Sequence, residues 1–164
     1  SAASDVYKRQ MVIKIISITN KLSNWEHQGL KHFTKQFPKS IKIDFINLKS
    51  QQHVKRSKKE IMHLEEKLIL PKLANVDSII SWDCSGQQIN SFEFSNFIKT
   101  NIISKKNITF IIGGSFGLTK KIIKESDLVF SASNLTFPHK IFKILVVEQI
   151  YRALSIINNS PYHK

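Results

Sequence analysis

Apolar residues along this chain switch repeatedly between short alternating or continuous runs and stretches where they recur every three or four positions. Val12 to Thr19 (VIKIISIT) is short and rich in β-branched residues, which predicts a strand. Asn24 is placed to cap a helix whose apolar residues are Trp25, Leu30, Phe33 and Phe37, with Pro38 as its stop. Ile41 to Leu48 (IKIDFINL) alternates over eight positions, the pattern of a strand with one buried face. After a polar stretch, Lys49 to Lys59, a helix capped by Ser50 or Ser57 carries Ile61, Leu64, Leu68 and Ile69 and ends before Pro71. Val76 to Trp82 predicts a third strand, Asp83-Cys84-Ser85-Gly86 a turn, and Ser91 to Ser104 a helix facing inward with Phe94, Phe97, Ile98 and Ile102. Ile108 to Ile112 (ITFII) is continuous, as in strands buried on both faces. Thr119 opens a brief helix and Leu128 to Ser131 forms a fifth strand.

A long helix follows Pro138, with apolar residues from Ile141 to Ile157 around most of its circumference. Such a helix needs cover on two sides. The sheet supplies one, and a second copy of the chain is expected to supply the other. Its one polar stripe holds Glu148, Arg152 and Ser155, with Glu148 four residues before Arg152, the favourable order for an ion pair. The alternation of strands and helices predicts an α/β fold: a mostly parallel sheet flanked by helices.

The 164 residues fit one domain, with neither repeat nor linker. Residues 1–10 are set apart from it. Asp5 to Gln10 resembles the translated end of a transposon adapter, and Met11 opens a clean strand, so the domain is taken as 11–164 and the leader as non-native. The net charge is +13. Removing Lys8, Arg9 and Asp5 takes away only one of those charges, so an anionic partner, above all nucleic acid, remains the leading expectation. The single cysteine, Cys84, excludes an internal disulfide and fits a reducing, cytoplasmic setting. No Cys/His spacing suggests a metal, and no apolar run approaches the roughly 18 residues of a membrane span.

In parallel sheets, ligands bind beyond the carboxyl ends of the strands. Three loops there have suitable composition: Trp82 to Gly86, Gly113 to Leu118, and Ala132 to Pro138. The run Gly113-Gly114-Ser115-Phe116-Gly117 offers bare backbone to a ligand, yet it has neither the dinucleotide spacing nor the Walker ending. By itself it fits a ligand site or a simple tight turn equally. The third loop mixes Ser133, Asn134 and Thr136 with Leu135 and Phe137, suiting a ligand with an apolar ring and polar edges. The Lys49 to Lys59 loop fits either a solvated segment or an RNA phosphate contact.

Four motifs in order, IIGGSFGL at Ile111 to Leu118, LTFPH at Leu135 to His139, VVEQIYRALSI at Val146 to Ile156 and the terminal PYHK, closely resemble the ribosomal RNA large subunit methyltransferase H family. The resemblance covers Met11 to Lys164. It implies a SPOUT-type α/β fold with a C-terminal trefoil knot, active as a homodimer. It further implies S-adenosylmethionine-dependent methylation of N3 of a pseudouridine in 23S rRNA, on assembled ribosomes. Carried over by position, the cofactor contacts fall at Trp82, Gly113, Ala132, Ser133, Asn134, Leu135, Thr136 and Phe137; the family often has leucine where Trp82 stands here. Arg152, Tyr162 and His163 are the catalytic candidates, with Arg152 also able to pair with Glu148, and with the tail expected to reach the partner subunit's cofactor. His139 is expected to be structural, and Asp83, Glu125 and Asp127 solvated. Lys120, Lys121, Lys164 and the Lys49 to Lys59 loop are the cations available to RNA. Rival readings are a ribosome-binding factor without enzymatic activity and a related methyltransferase acting on transfer RNA.

Overall fold

A computed structural model describes residues 10–164, so the proposed leader lies almost wholly outside the described residues. Five strands, β1 (Met11–Ile18), β2 (Ile41–Leu48), β3 (Ser78–Gln88), β4 (Ile108–Ile112) and β5 (Leu128–Ser131), form one sheet in the order β2-β1-β4-β3-β5, every neighbouring pair parallel. The helices are α1 (Asn24–Thr34), α2 (Lys58–Ile69), α3 (Ser91–Ile103), α4 (Lys120–Glu125) and α5 (His139–Ile157).

Strand pleating sends alternate residues to opposite faces. Ile13 and Ile15 of β1 join Leu30 of α1, Phe94 and Ile98 of α3, and Val147 and Ile150 of α5 in the larger core. Ile16 and Ile18 join Ile69 of α2 and Ile122 of α4 in the smaller one. The result is three layers, helices on both faces of the sheet. β4 lies at its centre with all five residues buried, as its continuous apolar run predicts.

The starts of α1 to α4 follow side-chain capping, whereas α5 begins after Pro138 with no side-chain cap. Ser57 rather than Ser50 caps α2, accepting from the Glu60 N–H at 3.2 Å. Asn90 caps α3, exchanging bonds with Glu93 in both directions at 2.9 Å. For α1 the capping residue is Ser23, not Asn24: the Glu26 carboxylate accepts from the Ser23 N–H at 2.7 Å and from its hydroxyl at 2.6 Å. Pro71 ends α2 as expected, the chain continuing in a single 3₁₀ turn, Leu70–Leu73.

β3 departs most from expectation. It runs to Gln88 instead of Trp82, with a register jump: Trp82 and Gln87 both lie opposite Phe130 of β5. The four residues between form the expected turn, held by Asp83, whose Oδ1 accepts from the Ser85 N–H at 3.0 Å and hydroxyl at 2.6 Å. A Cβ on Gly86 would stand 2.6 Å from the Val129 carbonyl oxygen, so only glycine lets this turn press against β5.

α5 is covered more fully by its own chain than its composition suggested. α3 and α1 flank it over the sheet, burying Val146, Val147, Ile150, Ala153 and Leu154, and leave Ile141 and Leu145 exposed on one stripe.

Candidate active site

All five strands point their carboxyl ends to one edge, and the three loops chosen from composition meet there. The Asp83–Gly86 turn touches both its neighbours: Asp83 Oδ2 lies 3.6 Å from a Cβ placed on Gly117, and Gly86 abuts β5. Gln88 Nε2 donates to Asn134 Oδ1 at 2.8 Å, fastening the end of β3 to the loop after β5. Between these loops and α3 and α5 opens a cleft of about 350 Å³. Its floor and walls are Trp82, Phe94, Phe137, Phe142, Leu145 and Val146, and its polar rim includes Asn90, Ser91, Ser133 and Gln149. A hollow lined by Asn134 and Glu93 adjoins it.

Trp82 is the central side chain. It is 7% exposed, with its ring centroid 5.7 Å from Phe94, Phe130 and Phe142 and 6.0 Å from Phe110. Its indole Nε1–H is buried without a hydrogen-bond partner. A buried orphan donor is costly, and a polar edge of a bound ligand would satisfy it.

Of the eight expected cofactor residues, the cleft gathers Trp82, Ala132, Ser133 and Phe137, with Asn134 in the adjoining hollow. Leu135, at 72% exposure, and Thr136 face outward. Gly113 follows Ile112, the pairing partner of Trp82, but does not line the cleft. It belongs to a tight turn in which the Gly117 N–H donates to the Gly114 carbonyl at 3.1 Å and Gly117 takes φ +79. A Cβ on Gly113 would stand 2.9 Å from the Gly117 carbonyl carbon, so glycine is required there by the turn itself.

The three catalytic candidates do come together beside this cleft, Arg152 on α5 and Tyr162 and His163 on the tail that follows it. Glu148 is their hub. Its Oε1 accepts from Arg152 Nε at 3.1 Å, Arg152 Nη2 at 2.8 Å and the Tyr162 hydroxyl at 2.9 Å. Arg152 Nη1 bonds His163 Nδ1 at 3.0 Å and the guanidinium lies 4.8 Å from the Tyr162 ring centroid. Phe92 of α3 packs edge-on against His163, and Tyr151 packs against Tyr162. The tail thus folds back onto its own chain. A continuous relay runs from the rim to the tail: Ser91 donates to Gln149 at 2.8 Å and Gln149 donates to Glu148 at 2.8 Å.

The electrostatics sort the roles. An arginine has no acceptor, so in this contact the His163 Nδ1 facing it is the accepting nitrogen. Burial and the hydrogen bond to Glu148 push the Tyr162 phenol up, so it stays protonated at neutral pH. His139 stands apart, among Lys140, Lys143 and Glu26, where burial and the neighbouring lysines lower its pKa. Of the carboxylates expected to be solvated, Glu125 and Asp127 are exposed, Asp127 also accepting from the Ile79 N–H at 2.7 Å, whereas Asp83 is half-buried and shapes its turn. Among the described residues no three His, Cys, Asp or Glu side chains cluster as metal ligands, and no helix is long and apolar enough to cross a membrane.

Sequence reasoning overlooked Ser91, Gln149 and Phe92. Gln149 adjoins Glu148 in a recognised motif, which was the available signal; Ser91 and Phe92 are brought in only by the docking of α3 on α5.

The chain is similar over nearly its whole length to known methyltransferases. The family model described as "Predicted SPOUT methyltransferase" matches residues 11–163. Ribosomal RNA large subunit methyltransferase H of Caldicellulosiruptor bescii is 39% identical over 154 residues, covering 93% of this chain and all of its own. Ribosomal RNA large subunit methyltransferase H 1 of Clostridium perfringens is 35% identical over 159 residues, covering 94% and 100%. A crystal structure titled probable methyltransferase, from Bordetella pertussis, superposes with a TM-score of 0.59 at 10% identity over 93% of this chain and 99% of its own, which shows a shared fold. By motif, by whole-length identity and by fold, the chain belongs to the SPOUT methyltransferases and, within them, to the ribosomal RNA large subunit methyltransferase H family.

Proposed function

We propose that this enzyme transfers a methyl group from S-adenosylmethionine to N3 of a pseudouridine in 23S rRNA of the assembled ribosome, working as a homodimer. The observation that carries this reading is the relay joining the Trp82 cleft to Arg152, Tyr162 and His163, which sets a ligand cavity and a proton-handling cluster side by side.

The cleft suits the cofactor: its volume is in the range of small-molecule sites, its aromatic walls match an adenine ring, and its orphan indole donor and Ser133 offer polar contacts. Trp82, Ala132, Ser133 and Phe137 would hold it, with Asn134, Leu135 and Thr136 closing over it as the rest of the same loop and the Gly113 turn bracing Trp82. When bound, S-adenosylmethionine supplies an electrophilic methyl on a sulfonium. The imide N3–H must lose its proton before N3 becomes a competent nucleophile. Arg152 stabilises the resulting anion through its guanidinium N–H groups, and His163 accepts the proton at Nδ1 once Arg152 Nη1 turns from it to the substrate. Tyr162, held protonated, orients Glu148 and hence Arg152.

The exposed stripe of Ile141 and Leu145 runs on into Glu148 and Arg152, so a second copy seated there would cover apolar surface and enclose both cleft and cluster. The C-terminal trefoil knot belongs to this reading through membership of the family. The test is incorporation of labelled methyl into ribosomes, free 23S rRNA and bulk transfer RNA. Label in N3-methylpseudouridine from ribosomes is expected; label confined to transfer RNA, or none anywhere, overturns the reading.

A further inference from the structure

A second polar cavity, of about 420 Å³, lies on the same carboxyl edge of the sheet, beyond β1 and β2. Thr19, Asn20 and Lys21 line it from the end of β1, Asn47 and Lys49 from the end of β2, and His27 from α1. No carboxylate contributes to its wall. Behind it stands Lys143 of α5, 3% exposed, its Nζ donating to Asn47 Oδ1 and lying 5.2 Å from the Phe45 ring centroid. Ser17 donates to the same Oδ1 at 3.3 Å. With its oxygen taken by two donors, the Asn47 amide has only Nδ2, itself a donor, left to offer.

The charge balance is unusual. No described carboxylate is ion-paired with the Lys143 ammonium. Glu26 acts on it at longer range, and that carboxylate is already bonded to Ser23 and paired with Lys140 at 3.6 Å. A buried cation without a counter-ion is destabilising, and an anion seated in front of it offsets that cost. We propose that this cavity is an oxyanion site that takes a backbone phosphate of the RNA substrate, with Lys21, Lys49 and Asn47 Nδ2 as its donors and Lys143 as its rear charge. β1 is two strands from β3, about 10 Å at ordinary strand spacing, so one RNA segment entering the Trp82 cleft spans both. The assignment of RNA as the source of the phosphate rests on the proposed function; the cavity's preference for an oxyanion does not.

The experiment compares the full-length protein with Lys21→Gln/Lys49→Gln and with a control of equal charge loss, Lys105→Gln/Lys106→Gln, exposed at the opposite edge of the sheet. Binding of a pseudouridine-containing RNA hairpin is measured across a salt series, and inorganic phosphate is titrated by calorimetry. The cavity variant should bind the hairpin about tenfold more weakly at low salt and lose about 1 from the slope of log K against log salt. The control should keep more of both, and both variants should melt as the parent does. Equal slopes for cavity variant and control overturn the proposal. So does loss of inorganic phosphate binding with hairpin binding intact, which would make the cavity a site for free phosphate. Hairpin binding is read without turnover, so absence of methyl transfer to ribosomes would count against the proposed activity and leave this result standing.

Discussion

Replacing Lys143 with methionine should make the protein more stable and its RNA binding weaker, because the same buried charge acts in both. Burial lowers the Lys143 pKa from the ordinary 10.5 to about 8, Glu26 opposing the shift only in part. At about 1.4 kcal/mol per pH unit, holding this ammonium in the folded state at pH 7 costs about 3 kcal/mol. Methionine fills similar volume against Phe45 and gives up one hydrogen bond to Asn47, worth about 1 kcal/mol, whose oxygen keeps the Ser17 hydroxyl. The net gain at pH 7 is therefore about 2 kcal/mol. The folded pKa is depressed, so the penalty is complete below about pH 8 and relieved as pH rises toward 10.5; by pH 10 it falls below about 1 kcal/mol. Urea denaturation of both proteins at pH 7 and pH 10 reads the difference directly, other lysines and tyrosines cancelling between them. A variant less stable than the parent at pH 7, or a difference unchanged at pH 10, refutes the reasoning.

Gly86→Ala should destabilise by about 3 kcal/mol or more, since its Cβ meets backbone of Val129 and Phe130 that no rotamer change can move; a urea midpoint close to the parent's would show the two segments are not in contact. Deleting Tyr162 to Lys164 should leave the melting temperature nearly unchanged while turnover with ribosomes almost disappears, and full activity would remove the tail from the mechanism. Leu145→Glu, on the exposed stripe of α5, should give monomers by light scattering; a dimer that persists would place the interface elsewhere.

Most of the fold was legible because its strands and helices differ sharply in apolar spacing. β4 could be read from five continuous apolar residues, and α3 from Phe94, Phe97 and Ile98. The return of β3 to the sheet at Gln87 and Gln88 was not legible: both are polar, and their pairing comes from the Gly86 contact with β5, which pattern does not encode. Likewise Ser23 and Asn24 are equally good caps in sequence, and Glu26 three residues after Ser23 decides between them. At the site, strand-end position and composition picked out three loops that meet at one edge of the sheet. Gly113, however, serves the turn's own geometry rather than the cleft wall. Arg152, Tyr162 and His163 were singled out by motif, whereas their common link to Glu148 needed the tail's path. Lys143 is the clearest omission: a lysine in an apolar helix suggests a solvated stripe, and only the packing of α5 over Phe45 and Asn47 buries it.

In the proposed mechanism Trp82 forms the wall of the methyl-donor site. The chain has two tryptophans, and Trp25 is half exposed on α1, so Trp25→Phe leaves Trp82 as the sole tryptophan, excited selectively at the red edge where tyrosine does not absorb. Titrating S-adenosylmethionine into that variant should change Trp82 emission along a saturable curve, with the same midpoint that calorimetry gives. Heat of binding with flat Trp82 emission, or no binding at any concentration, would contradict the account.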